Sequence, residues 1–438
     1  MGEITRSPVM NRSHTQRRNL KHIAPPSFDD IDNYPPQRKN QPSPMKTKTR
    51  LLRAATAVFG ERGFNKASVS AICRRAGVAQ GTFYRYFQNK EDIYLGLVAQ
   101  LERRLRRALR TAASGGPREA LLRIFENLLA GIRRNRELYQ IFREAEFVRM
   151  EVPQRFYHDL AQIFKATIAM GQDAGVFREI EPEVAAFAVL GIAEFLAMRY
   201  LLWEAGELDP KALHAARTLI LSGIDPDGRS PLIADISLSE QEPNAAASKG
   251  ERTRAALLRA AERLFGEGGF HNTTISAITY VAGVAQGTFY IYFPSKVEIF
   301  TALVREINRK LRRAIRAAIT GLHDRRDVEC VGFQAFFEFI NRHRDAYRIV
   351  REAEFVDEGV GRWYYHRLAE GYVRGLRQGM ERGEIRKLEP EPLAYALLGI
   401  GHFIGLRWIV WEHKERLPEE ILRDTLDFIL HGIGAEEA

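Results

Sequence analysis

The sequence predicts an all-α protein built from two copies of one helical unit, and three observations lead there. Apolar residues recur at spacings of three and four along most of the chain, and strand-like alternation is rare. The nonapeptide AGVAQGTFY occurs at 76–84 and again at 282–290, and REAEFV occurs at 143–148 and again at 351–356. The offsets, 206 and 208 residues, are reconciled by one two-residue insertion, so each copy has the size of a whole domain rather than of a solenoid repeat.

Taken in order, residues 1–45 mix Pro25, Pro26, Pro35, Pro36, Pro42 and Pro44 with scattered charge, which predicts a disordered basic tail. Leu51, Leu52, Ala55, Val58 and Phe59 then form a helical stripe ending at Gly63; Leu257, Leu258, Ala261, Leu264 and Phe265 repeat it up to Gly268-Gly269. Ser68 is the expected N-cap of a short helix over 69–76 that turns Val69 and Ile72 inward. Gly77 supplies a tight turn, and a second short helix is expected over 80–86. Two short helices around a glycine turn are the helix-turn-helix pattern, whose second helix offers its N-terminal residues to base edges in the major groove. Gln80, Thr82 and Tyr84 occupy that stretch, while Phe83 and Phe87, four apart, are expected to anchor it from behind.

Asn89 and Asp92, matched by Ser295 and Glu298, predict a capping-box-like start to the next helix. Lys90 and Lys296 then fall at a helix N-terminus, an unfavourable place for a cation unless a phosphate arrives, so both are expected to clamp the DNA backbone. Further helices are expected at about 91–112, 119–133, 155–174, 183–204 and 210–222, with counterparts in the second copy. From about 225 to 249, prolines and the Ala245-Ala246-Ala247-Ser248 run predict a linker. Its roughly 25 residues would reach about 80–90 Å when extended, enough to set the second copy beside the first. The expected domains are 46–92 and 250–298 for the two helix-turn-helix heads, and 93–224 and 299–438 for the two helical ligand-binding and dimerisation regions.

At 438 residues and 45% hydrophobic content the chain can bury several cores. Lys and Arg outnumber Asp and Glu by 65 to 55, and the formal charge of +10 favours a polyanionic partner. The two cysteines, Cys73 and Cys330, make neither a disulfide framework nor a metal motif, so no metal or cofactor is expected and a cytoplasmic location fits. No signal peptide or run of about 18 apolar residues is seen, so no membrane role is expected. P-loop, GxSxG and HExxH patterns are absent, so an enzyme is not expected.

The stretches AGVAQGTFYRYFQNK at 76–90 and AGVAQGTFYIYFPSK at 282–296 closely resemble the TetR/AcrR family of bacterial regulators. That likeness implies two TetR-like units, each a three-helix head on a helical ligand-binding domain. It places Gln80, Thr82, Tyr84 and Tyr86, with Gln286, Thr288, Tyr290 and Tyr292, where family members touch bases and phosphates. Gly81 and Gly287 would let the backbone approach DNA, and Ser68, Ser70, Arg85, Thr274 and Ser276 complete the expected contacts. Ala79 and Ala285 depart from the serine that often caps the recognition helix there.

The copies differ around those residues. Cys73-Arg74-Arg75 becomes Thr279-Tyr280-Val281, Arg85 becomes Ile291, and Gln88 becomes Pro294. Residues 45–110 carry a net +11 and residues 251–316 a net +6, so the first head is expected to show the steeper salt dependence.

The resemblance implies a regulator, mostly of the repressing kind, released by a small effector. Two heads in one chain suggest an intramolecular pseudo-dimer, open to further association, on an imperfect palindrome. The other reading has only the first head on DNA and the second copy as a scaffold or sensor. For an apolar or aromatic effector the polar candidates are Arg143, Glu146, Tyr157, His158 and Arg199, with Arg351, Glu354, Tyr365, His366 and Arg407. REAEFV also reads as a salt-bridged solvent face, with Glu146 and Glu354 the expected partners of Arg199 and Arg407; an arginine left without one could hold an acidic effector.

Overall fold

The computed structural model describes residues 44–110, 115–223, 227–238 and 248–432, so most of the expected tail lies outside the described residues. No strand occurs among them; the elements are α-helices with short 3-10 and π turns. The first copy runs α1 (Pro44–Lys66), α2 (Val69–Ala76), α3 (Gln80–Phe83), α4 (Lys90–Arg110), α5 (Pro117–Arg134), α6 (Arg136–Arg143), α7 (Glu151–Asp173), α8 (Pro182–Leu196) and α9 (Pro210–Ser222). The second runs α10 (Lys249–Asn272), α11 (Ile275–Ala282), α12 (Gln286–Tyr292), α13 (Lys296–Ala318), α14 (Arg325–Arg342), α15 (Arg344–Val356), α16 (Glu358–Glu381), α17 (Pro390–Ile404) and α18 (Glu419–His431).

Local sequence explains these boundaries. Gly63 and Gly269, at φ of 69° and 76°, break α1 and α10 in the left-handed region that glycine tolerates. Ser68 and Thr274 cap α2 and α11 by accepting from Ala71 N and Ala277 N, and Gly77 and Gly283 close both helices in the αL conformation. Ser295 caps α13 from its side chain, and Asn89 accepts from Asp92 N at the start of α4. Pro182, Pro210 and Pro390 each open a helix at its first turn, where the missing N–H costs no hydrogen bond.

The centre of the molecule is the crossing of α8 and α17. The segments Pro182–Trp203 and Pro390–Trp411 have mean hydropathies of 1.7 and 1.6, enough by length and composition to cross a bilayer, although Glu194 and Arg199 in one and Arg407 in the other break any continuous apolar run. They are 89% and 78% buried against protein, which is what a helix apolar all round requires. At the crossing a Cβ on Gly191 would lie 2.2 Å from Gly399 O, and one on Gly399 2.1 Å from Gly191 O. Only glycine at both positions lets the two backbones touch. Both segments end in a π turn, Ala197–Trp203 and Gly405–Trp411, and α9 and α18 pack beside the pair.

Within the stretch read as a linker, residues 227–238 lie along α14. Ala234 N donates to Gln334 Oε1, Gln334 Nε2 donates to Leu232 O, and Arg326 pairs with Asp227 at 2.6 Å. This half of the connection is therefore held by hydrogen bonds rather than free.

Candidate nucleic-acid interface

In each head the short α3 or α12 stands on a buried aromatic base. Phe83 and Phe289 are fully buried, with Phe87 and Phe293 packed 5.7 and 5.9 Å from them, as their spacing predicts. The opposite side is open. Gln80, Gly81 and Arg85 are exposed, as are Gln286 and Gly287; Thr82 and Thr288 are half-buried. Tyr84 and Tyr290 expose 58% and 53% of their surface, too much for rings whose purpose is packing. Tyr86 and Tyr292 are half-buried and pack against the core with part of each ring. A Cβ on Gly81 or Gly287 would meet nothing within 4 Å, so nothing inside the protein requires glycine there, whereas a closely approaching backbone would.

The caps of the preceding helices are open to solvent as well. Ser68 and Ser70 share a hydrogen bond of 3.1 Å, Thr274 and Ser276 one of 3.2 Å, and all four are exposed at the start of α2 or α11. Ala79 and Ala285 cap α3 and α12 with no side-chain hydrogen bond. In the first copy the recognition helix closes after four residues, in the second after seven.

Lys90 and Lys296, expected to clamp the DNA backbone, are engaged within the protein. Their side chains turn back: Lys90 Nζ donates to Phe64 O at 2.8 Å and Ala67 O at 3.2 Å, and Lys296 Nζ to Phe270 O at 2.8 Å and Thr273 O at 2.7 Å. Each also lies over a ring, Phe64 at 4.2 Å and Phe270 at 4.3 Å. A cation at the carbonyl end of α1 or α10 relieves the negative end of that helix, so no phosphate is needed to explain it.

REAEFV is the larger correction. Neither copy of it faces solvent. Arg143 holds Glu354 of the other copy with two hydrogen bonds of 2.9 Å, and Arg351 in turn pairs with Glu146. Trp203 Nε1 donates to Glu354 at 2.9 Å. Arg199 pairs not with Glu146 but with Glu391 at 2.8 Å and with Glu204; Arg407 pairs with Glu183 at 2.8 Å and with Glu412. Residue i of one copy meets residue j of the other, and j meets i, the reciprocal pattern of a two-fold interface. Burial opposes the Arg143 charge, but Glu354 and Glu194 outweigh it and hold the guanidinium above the ordinary arginine range.

The intervening glutamates point the other way, into the heads. Glu144 accepts from Phe64 N through both oxygens at 3.0 and 2.8 Å, and Glu352 from Phe270 N at 3.0 Å twice. They bind the amides freed by the breaks at Gly63 and Gly269, so one short motif ties each head to the opposite copy. Tyr157 and Tyr365 are buried across the same interface, on Phe403 at 4.9 Å and Phe195 at 5.5 Å. His366 accepts or donates at 2.8 Å to Tyr395 Oη, and His158 is exposed beside Gln162. None of the ten expected effector-pocket residues lines the cavity found in the second copy. The repeated motif was visible in the sequence; its direction was not, because helical spacing does not say which neighbour a face meets.

A family model described as bacterial regulatory proteins, tetR family, matches residues 51–97 and 257–303. The chain is similar to the HTH-type transcriptional regulator YdgC of Bacillus subtilis, at 30% identity over 192 residues, 42% of this chain and 95% of that one. It is also 30% identical over 124 residues to the HTH-type transcriptional activator FasR of Mycolicibacterium smegmatis, 27% of this chain and 57% of that protein. Among solved structures, the TetR family transcriptional regulator PfmR from Thermus thermophilus matches at 20% identity, over 44% of this chain and 100% of that one, with a TM-score of 0.35.

Proposed function

Because this chain belongs to the TetR family of bacterial regulatory proteins, helix-turn-helix transcriptional regulators that bind DNA, we propose that it is a cytoplasmic repressor with two reading heads in one chain, released by a small effector. The observation that carries the reading is the doubled surface of Gln80, Thr82 and Tyr84 with Gln286, Thr288 and Tyr290. These side chains are wholly or partly open to solvent in both copies, while the phenylalanine behind each set is fully buried. The reciprocal Arg143–Glu354 and Arg351–Glu146 pairs support treating the two copies as the equivalent of a dimer, and the target as an imperfect palindrome.

A second reading keeps DNA on the first head only. Tyr280, Val281 and Ile291, exposed at 87%, 40% and 77%, stand where the first head has Arg74, Arg75 and Arg85, which lowers the electrostatic part of binding. Footprinting the intact chain on its own upstream DNA, beside Tyr84→Ala and Tyr290→Ala, separates the two. With both heads at work each variant weakens binding roughly tenfold or more and erases one half of the footprint. If Tyr290→Ala binds as the parent does, the second head is a scaffold. Transcription from the footprinted promoter decides the sign, since rising expression on addition of the protein would make it an activator.

A further inference from the structure

Helix interiors disfavour glycine, yet the second copy carries Gly332 in α14, Gly371 in α16 and Gly401 in α17 where the first copy has Ile124, Ile163 and Ala193. In the second copy these glycines line a cavity of about 250 Å³ between α13, α14, α16 and α17. A Cβ on Gly371 would meet nothing within 4 Å, and one on Gly332 only Ile315 and Ile319, at 3.9 and 4.0 Å. In the first copy, by contrast, Ile124 and Ala193 are each 1% exposed and Ile163 packs against the core. The two copies therefore diverge in whether this space holds side chains.

Charge diverges at the same place. In the first copy Arg106 is neutralised by Asp159. The equivalent of Asp159 is Arg367, which lines the cavity with Arg312, Arg316 and Arg374 and pairs at 2.5 Å with Glu370, itself outside the lining. Arg316 and Arg374 have no carboxylate partner among the described residues, and Arg312 Nε donates to Asn308 Oδ1 at 2.8 Å. Burial, and then the charges of Arg367 and Arg316, pull the Arg312 guanidinium down from its ordinary value. The other polar groups of the lining satisfy one another, Glu329 accepting from both Arg325 and Tyr372. What is left is an apolar chamber, walled by Leu311, Ile315, Phe333, Phe336, Leu368 and Leu397, beside an excess of positive charge.

We propose that effector sensing in this chain belongs to the second copy, through one cavity per chain that takes an amphipathic anion, its apolar chain against Ile315, Phe336 and Leu368 and its acidic end on Arg312 and Arg367. The inference rests on the effector-released reading of the preceding subsection and adds the class, number and place of the ligand. The site is connected to the DNA face by a single element, since α13 begins at Lys296 in the head and carries Leu311, Arg312 and Ile315 into the cavity.

Isothermal titration of the full-length chain with decanoate, decanol and decylamine tests it. One decanoate is expected to bind per chain, roughly tenfold or more tighter than decanol, with decylamine the weakest. Gly371→Ile, which puts at this position the residue that the first copy has at 163, is expected to abolish binding while the melting temperature holds. Arg312→Met is expected to bring decanoate down to the affinity of decanol and leave decanol unchanged. Two decanoates per chain, equal affinity for acid and alcohol, no decanoate binding by the parent, or undiminished binding by a folded Gly371→Ile chain would each overturn the proposal. DNA release is read separately by gel shift: decanoate that binds as expected yet leaves the DNA complex intact counts against effector release and leaves the site standing.

Discussion

The two heads share their reading side chains residue for residue and part company at the charges around them. Gln80, Thr82 and Tyr84 recur as Gln286, Thr288 and Tyr290 on the same buried phenylalanine, yet Arg74, Arg75 and Arg85 become Tyr280, Val281 and Ile291. The sensing regions show the same division. The arginine–glutamate pairs between the copies are reciprocal, whereas Gly332 and Gly371, which leave room beside them in the second copy, are Ile124 and Ile163 in the first. A duplicated chain is free to let its halves diverge wherever the two do not touch each other. Where they do touch, a change in one half leaves a buried partner in the other unpaired, which costs several kcal/mol when the partner is charged.

The largest expected effect comes from erasing the difference in charge. The triple variant Arg74→Tyr, Arg75→Val, Arg85→Ile gives the first head the surface of the second. Each lost phosphate contact should flatten the slope of log affinity against log salt by about 0.9, so three should flatten it by roughly 2.7. The reverse triple, Tyr280→Arg, Val281→Arg, Ile291→Arg, should steepen it by as much. Fluorescence anisotropy at several salt concentrations reads both. An unchanged slope in the first triple means those arginines do not face the duplex, and the comparison between the heads loses its electrostatic basis.

Much of this was legible in the sequence. The glycine breaks, the caps at Ser68 and Thr274, the helix over 69–76 and the exposed reading face follow from local rules about φ, capping and spacing. What the sequence hides is direction in three dimensions. Lys90 sits where a phosphate clamp would, but its four-carbon stem reaches back to carbonyls 23 and 26 residues earlier in the chain. Arg199 needed an acid, as its apolar surroundings imply, and the acid is Glu391, 192 residues away on the other copy. No periodicity encodes such a pairing. A comparison of Gly371 with Ile163 could have pointed to the cavity, because a repeat supplies its own control, but only once the copies are aligned past the insertion.

A middle-sized effect is expected where the interface itself departs from two-fold symmetry. The position that is Glu194 in the first copy is His402 in the second. Glu194 sits by Arg143 at 3.1 Å, whereas His402 hydrogen-bonds Tyr347 Oη at 2.6 Å. Burial, followed by the charges of Arg351 and Arg143, holds the His402 imidazole well below its usual value, so it is neutral in the folded chain. As pH falls below about 6.5 the unfolded chain takes up a proton that the folded chain refuses, and stability is lost at up to about 1.4 kcal/mol per pH unit. Burial raises the Glu194 carboxyl, which acts in the opposite sense at acid pH, so the variant rather than the bare pH profile isolates the histidine. Denaturant unfolding of His402→Gln between pH 7 and 5 should show a shallower acid loss than the parent. Parallel curves would mean that His402 takes up its proton in the folded chain as readily as in the unfolded one.

The smallest effect concerns the recognition helices, where the heads differ in order rather than in charge. Ala79 and Ala285 leave the first amides of α3 and α12 without a side-chain acceptor, and Thr82 N and Thr288 N make only the tight bond, 2.9 Å, to the alanine carbonyl. A serine at either position can accept from the second or third amide and stabilise the helix by about 1 kcal/mol. The gain should be larger for Ala79→Ser, because α3 ends at Phe83 and passes into turns over 84–86, whereas α12 runs on to Tyr292. Amide hydrogen exchange reads each head separately: residues 84–86 should slow in Ala79→Ser more than 290–292 do in Ala285→Ser. Equal slowing would show that the short α3 reflects the chain following Tyr84 rather than the missing cap, and would shift attention to Arg85 and Gln88, where the second copy has Ile291 and Pro294.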